Sequence, residues 1–286
     1  MEEGSFDEAV KGCHGVFHVA ASMEFNVLAK DNIENYVQSH ILDPAIKGTL
    51  NLLRACSSAK SVKRVVFTSS ISTMTSQDSA GNMISVVDES CKTPIERVCN
   101  RKASGWVYVL SKLLSEEAAF RFANENGIDL ISVIPTTVAG SFLTPTVPAS
   151  VCVLLSPITG DSEFNSILLA VNHRMGSISI VHIEDICNAH IFLMEHATAK
   201  GRYICSAHSC AMSQLVDCLA LEYPYFDVQR SSEEQHKTIP SRISSKKLTD
   251  LGFEYKYGVG DVIKQSISSC MQHGLLHYLS TSNSFC

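Results

Sequence analysis

The chain has 286 residues, 45% of them hydrophobic and 18% charged, enough for a sizeable core in one large domain or two smaller ones and unlike a disordered or fibrous composition. Its formal net charge of −6, with both signs interspersed, offers no basic stripe to a phosphodiester backbone, so no nucleic-acid partner is expected. Eleven cysteines form no CxxC pair and no Cys/His cluster at ligand spacing, the N-terminus has no basic and apolar leader, and no apolar run is long enough for a bilayer; a zinc site, a disulfide scaffold and a membrane span are therefore not expected, and a cytoplasmic setting is.

In chain order, Phe6 to Val10 has the spacing of a helix end and runs into an apolar, β-forming stretch, Gly15 to Ala21 (GVFHVAA). From about Asn32 to Ser57 the pattern turns helical, with Leu42, Ile46, Leu50 and Leu53 at three- and four-residue steps. Val62 to Thr68 (VKRVVFT) reads as a strand ending in Ser69 and Ser70, and a polar stretch with turn formers follows from Ser76 to Arg101. Tyr108 to Asn126 is a helix, marked by Leu110, Leu113, Leu114, Ala118 and Phe122 and stopped at Asn126-Gly127.

Further strands are expected at Asp129 to Ile134, closed by Pro135, at Ser177 to Val181, followed by a helix to about Glu195, and at Arg202 to Ser206. Beyond about Gly201 the pattern loosens, with loops around Pro224 and Pro240. Strands separated by helices of a dozen or more residues indicate right-handed βαβ units, hence an α/β class with a parallel sheet covered on both faces.

Among eight tyrosines only Tyr108 has a lysine four residues on, Lys112, near the start of a strongly periodic helix. That spacing puts both side chains on one helical face. A phenol near its ordinary pKa of about 10 moves protons poorly at neutral pH unless a cation favours the phenolate, and Lys112 is placed to be that cation. A hydroxyl to polarise a substrate carbonyl completes such a set, and Ser70, at the C-terminal end of its strand, is the candidate. A YxxxK also arises by chance as a surface pair; its position between a strand-Ser-Ser segment and a strand ending in Pro135 favours the catalytic reading.

VFHVAAS (Val16 to Ser22), RVVFTSS (Arg64 to Ser70), YVLSK (Tyr108 to Lys112), DLISVIPTTVAG (Asp129 to Gly140), SIVHIEDICNAHI (Ser179 to Ile191), GRYICS (Gly201 to Ser206) and SSKKLTDLGF (Ser244 to Phe253) together resemble the plant dihydroflavonol reductase and anthocyanidin reductase family of extended short-chain dehydrogenase/reductases. The resemblance runs from about Glu2 to about Leu276. It implies NADPH as hydride donor, with Tyr108 as general acid, Lys112 holding the nicotinamide ribose and Ser70 polarising the carbonyl of a phenolic, flavonoid-like substrate. It also implies a cofactor groove lined by Val19, Ala20, Ala21, Ser22 and Thr68, with Pro135, Thr136 and Thr137 beside the nicotinamide, and a substrate contact at Thr75. Ser22 departs from the family's more frequent Pro. Thr75 stands where dihydroflavonol reductases tend to carry Asn, which leans the chain toward anthocyanidin reductases, and WVYVLSK lacks the signature of cinnamoyl-CoA reductases.

The implied architecture is a Rossmann-type parallel sheet lacking its first βα units, with a smaller C-terminal substrate lobe. Residues 1–140 and 175–200 would form the partial dinucleotide-binding core, 141–174 and 201–280 the lobe, and 281–286 a tail. None of the fifteen glycines forms a GxGxxG turn between a strand and a helix, the device that grips a pyrophosphate. On the family's pattern roughly 60 residues, about two βα units, would precede Met1. Two expectations follow: a fragment of a working reductase, or a genuinely short chain that binds NADPH weakly.

The tyrosine-lysine pair is shared with steroid-type dehydrogenases and sugar-nucleotide epimerases, and a non-catalytic binding protein could retain the fold. His182 and His190 flank Glu184 and Asp185, but a capped strand-to-helix turn explains the set, and no metal is expected. His18 reads as a packed or hydrogen-bonded core residue and Cys205 and Cys210 as structural thiols. The oligomeric state stays open.

Overall fold

The computed structural model describes residues 2–27, 32–78, 80–224, 241–274 and 276. In chain order, α1 (Asp7–Val10) leads to β1 (Gly15–His18), and α2 (Ile33–Val37) passes through a π-helical stretch, Gln38–Leu42, into α3 (Asp43–Ala59). Then come β2 (Arg64–Thr68), a 3₁₀ turn at Ile71–Thr73, β3 (Val86–Val87), α4 (Ile95–Arg101), α5 (Trp106–Asn126), β4 (Leu130–Pro135) and β5 (Thr137–Ala139). The remainder is α6 (Ala149–Thr159), α7 (Ser162–Met175), β6 (Ile178–His182), α8 (Ile183–Glu195), β7 (Gly201–Cys205), β8 (His208–Cys210), α9 (Met212–Glu222), β9 (Arg242–Ile243), α10 (Lys246–Thr249) and α11 (Val259–Gln272).

The central sheet is parallel, in the order β1-β2-β4-β7. Both its faces are covered, and the period-2 alternation of β2 shows how. Val65 and Phe67 pack with Leu52, Leu53 and Cys56 of α3 and Ala119 and Ala123 of α5, whereas Val66 packs with Ile186, Ala189 and Leu193 of α8. Arg64 ties the strand's start to α8, donating from Nη1 to the carbonyls of Leu193 (2.9 Å), Met194 (3.2 Å) and His196 (2.7 Å) while its guanidinium pairs with Asp129 at 2.7 Å. Those carbonyls are among the orphan acceptors of a helix C-terminus.

Helix α5 is bounded by glycines at both ends. Gly105 and Gly127 have φ of +79° and +66°, the left-handed region that side-chain-bearing residues adopt at a cost, and the Gly127 amide donates to the Ala123 carbonyl to close the last turn. The π-helical step before α3 coincides with Pro44, whose missing N–H interrupts the regular ladder.

A second sheet, β5-β6-β8, pairs β5 with β6 in parallel and β6 with β8 antiparallel. It shares an apolar cluster with α6, α7, α9 and α11, built from Leu154, Leu155, Leu168, Ile178, Ile180, Leu219 and Ile263 among others. Two of the sequence boundaries move. Gly201–Cys205, assigned from sequence to the lobe, is the outer strand of the central sheet, paired residue by residue with β4, and Ile178–His182, assigned to the core, lies in the second sheet. The apolar runs of both strands fit either sheet, and only the pairing partner separates them. The helices α4, α6 and α7 and the short strands β3, β5, β8 and β9 were not anticipated. The segment 281–286 and the loop around Pro240 lie outside the described residues.

Candidate active site

Because β1, β2, β4 and β7 run parallel, the segments that follow them emerge along one edge, where open α/β sheets carry their ligands. Val19 to Ser22 follow β1, Ser69 and Ser70 follow β2, Pro135 ends β4 with Thr136 and Thr137 beyond it, and Ser206 follows β7. Tyr108 stands in the first turn of α5, which is packed beside the tip of β2.

Ser70 is buried, its hydroxyl accepts from the Ser72 amide at 3.1 Å, and its influence on the Tyr108 phenol opposes that of burial. The neighbouring Ser69 hydroxyl is also buried but has no hydrogen-bond partner among the described residues. Lys112 is buried one helical turn from Tyr108. Its Nζ donates to the Thr68 carbonyl at 2.5 Å and lies 4.9 Å from the centroid of the Phe67 ring. The three expected catalytic side chains are therefore gathered at one strand tip.

The electrostatics differ from the sequence expectation. Burial raises the Tyr108 phenol above its ordinary value, with the Ser70 hydrogen bond acting in the opposite direction. Lys112 was expected to lower the phenol, but its ammonium is committed to the Thr68 carbonyl, and burial pushes it down to about 8 against the opposing charge of Glu116. Desolvation thus outweighs charge proximity at both groups. The phenol stands protonated at neutral pH, the state a proton donor requires.

Other anticipated residues have settled surroundings. The Thr68 hydroxyl shares a 2.7 Å hydrogen bond with His190 Nε2, and His190 Nδ1 lies 2.7 Å from the Ile186 carbonyl. Thr136 is buried and donates its amide to the Cys205 carbonyl at 3.1 Å. Val19 is 59% exposed, and Ala20 and Ala21 are exposed with it. Thr75 is buried, its hydroxyl accepting from the Gln77 amide at 3.2 Å. His18 bonds Thr49 Oγ1 at 2.9 Å, and burial together with the Lys112 charge lowers it to about 4. His182 is itself the N-cap of α8, its Nδ1 accepting from the Glu184 amide at 3.1 Å, while its Nε2 faces Gln265 at 3.0 Å.

Sequence reasoning missed two features. Phe25 packs on the Tyr108 ring at 5.1 Å between centroids, a contact spanning 83 positions that no local pattern reveals. Glu116 lies four residues beyond Lys112 on the same stripe of α5 and forms a buried ion pair with Arg202 at 3.0 Å, its other oxygen accepting from Ser132 at 2.5 Å. An acidic residue at that step from Lys112 was a readable signal.

The sequence profile of the NAD dependent epimerase/dehydratase family matches residues 1–205. A putative anthocyanidin reductase from Ginkgo biloba is 44% identical over 275 residues, 96% of this chain and 78% of that protein. The dihydroflavonol 4-reductase of Arabidopsis thaliana is 42% identical over 96% of this chain and 68% of its own length. The chain belongs to this family, on its dihydroflavonol and anthocyanidin reductase branch. Among solved structures, vestitone reductase from alfalfa superposes with a TM-score of 0.75 at 28% identity, covering 95% of this chain and 80% of that one. As in any extended short-chain reductase fold, the parallel sheet presents its C-terminal edge to the ligands, and here β1 is an edge strand with no partner on its outer side among the described residues. Phe17, on that strand, is 45% exposed.

Proposed function

We propose that the protein is an NADPH-dependent reductase of a flavonoid-like or related phenolic carbonyl compound. The observation that carries this reading is the grouping of Ser70, after the tip of β2, with Tyr108 in the first turn of α5 and Lys112 buried one turn along the same helix, its Nζ on the Thr68 carbonyl. In this arrangement Ser70 orients and polarises the substrate carbonyl oxygen, and Tyr108 delivers its hydroxyl proton to that oxygen as it becomes an alcohol. The phenolate left behind is stabilised by the Ser70 hydroxyl, which already opposes the effect of burial on the phenol.

The residues present fit one half of the dinucleotide. Val19 to Ser22 give an open, partly apolar shelf at the end of β1, and Pro135, Thr136 and Thr137 flank it from β4, so these segments with Lys112 would hold the nicotinamide and its ribose. When bound, the cofactor supplies the hydride to the carbonyl carbon. The pyrophosphate half finds no glycine-rich strand-to-helix turn in the 286 residues. Thr75, buried below Ser70 in the chain, would contact the substrate, and the segments from 141 to 174 and beyond β7 would close over it. A cytoplasmic setting belongs to the same reading, supported by cysteines that are all free thiols among the described residues; no helix among those residues is long and apolar enough to cross a membrane.

Replacing Tyr108 by Phe removes the proton donor while keeping the ring against Phe25. The rate of cofactor oxidation with a flavonoid panel is expected to fall by about 10²- to 10⁴-fold with an unchanged circular dichroism spectrum. An unaltered rate would remove Tyr108 from the mechanism. NADPH titration of this chain, followed by cofactor fluorescence, is expected to give an affinity weaker than micromolar, because the helix N-terminus and glycine turn that normally hold the phosphates are not in it.

A further inference from the structure

Beside the first turn of α5 lies a cavity of about 360 Å³, lined in part by Thr75. Its wall carries Arg97, Arg101, His173 and Arg174 with Thr75 and Trp106, and no aspartate or glutamate lines it. Among the described residues none of the three arginines forms an ion pair. Arg97 donates to Gln77 Oε1 at 3.3 Å and to the Asp78 carbonyl at 3.0 Å, both uncharged acceptors, and the Asp78 carboxylate is turned to Asn82. The Arg174 Nε is buried with no hydrogen-bond partner among the described residues, although the residue's own carbonyl is pinned by the Ser76 amide at 3.2 Å and hydroxyl at 2.8 Å.

A buried guanidinium donor without an acceptor costs free energy, and proteins keep such groups where a ligand satisfies them. Burial, with no opposing charge, depresses Arg174 to about 10. The rest of the wall, Val98, Val109 and Ala170 with the Trp106 ring, is apolar and suited to an aromatic body.

We infer that this cavity seats the carboxylate end of an acidic aromatic substrate, the guanidinium of Arg174 pairing with the carboxylate while Trp106 packs on the ring. Thr75, assigned above to the substrate, also lines this cavity, so the carboxylate pocket and the substrate contact share a wall. The inference rests on the reductase reading for the ligand's role as substrate, whereas its test needs neither cofactor nor turnover.

Trp106 is the only tryptophan in the chain, so its emission reports occupancy of this wall alone. The protein is titrated with 3-phenylpropionate and, in parallel, with the neutral 3-phenylpropanamide. The expected result is saturable quenching by the acid, at least about 10-fold tighter than by the amide, or about 1.4 kcal/mol, and weakening as salt is raised. In Arg174→Gln, checked for native circular dichroism, the preference for the acid collapses, and in Arg97→Gln it is reduced. Equal binding of acid and amide by the unaltered protein, no quenching by the acid, or a preference that survives Arg174→Gln would each overturn the proposal. Should the Arg174 variant not fold, the acid-against-amide comparison on the unaltered protein decides alone. Failure here leaves the reductase reading to the Tyr108→Phe experiment, which is read by turnover instead.

Discussion

Two stretches of the same helix treat charge in opposite ways. Around Tyr108 and Lys112 the polar groups are buried with few partners, and desolvation moves both away from their ordinary pKa values. Two turns further on, Glu116 is buried to a similar degree but fully engaged, with Arg202 Nη2 at 3.0 Å, Arg202 Nε at 3.2 Å and the Ser132 hydroxyl at 2.5 Å. Arg202 is anchored in turn by the Glu89 carbonyl at 2.8 Å and Thr73 Oγ1 at 3.0 Å. Burial is offset by partners in the second network and is not in the first, so the same helix carries both a matched and an unmatched set of buried polar groups.

The largest effect on folding should come from breaking the satisfied network. Arg202→Met leaves Glu116 buried without its cation and is expected to cost about 3–5 kcal/mol, read as a lowered midpoint in chemical denaturation. The double variant Arg202→Met with Glu116→Leu should recover much of that loss, since an apolar pair needs no solvation; additive losses would show that the two side chains are not coupled.

A smaller, pH-dependent effect should come from the under-satisfied side. His18 has its folded pKa lowered to about 4, so the unfolded chain binds a proton that the folded one refuses. Its contribution is fully present above about pH 6.5, the ordinary histidine value, and is lost as pH falls toward 4. His190 is shifted in the same direction by burial and adds to the trend. Denaturation midpoints measured across that window should fall more steeply for the unaltered protein than for His18→Gln; parallel curves would rule out His18 as the source. The smallest effect is expected at the surface, where Lys47→Ala removes a 2.8 Å pair with Asp43 and should leave the denaturation midpoint almost unchanged.

Much of the site could be read before any coordinates. The YxxxK spacing is an i, i+4 relation, and local periodicity alone puts both residues on one face of α5. The strand tip at Ser69-Ser70 was equally legible, because a β-branched run ending abruptly in small polar residues marks a strand terminus. The choice of Ser70 over Ser69 rests on its place at the strand tip, and the family pattern implies the same residue. The direction of the tyrosine shift was misjudged for a physical reason: the spacing of Lys112 says that it is near, while its partner, the Thr68 carbonyl 44 residues away, decides where the ammonium points.

By itself the sequence determined the class of fold, the succession of β1, β2, α5 and β4 along the chain, and the helix that carries Tyr108 and Lys112. These follow from periodicity and from turn and cap chemistry, which act over a few residues. Only the tertiary structure decided that β7 belongs to the central sheet and β6 to the second one, that Phe25 covers the tyrosine, that Glu116 meets Arg202, and that three arginines line one cavity without a carboxylate. Strand pairing, desolvation and charge balance depend on groups far apart in the chain, and their energies exist only once the fold has brought those groups together.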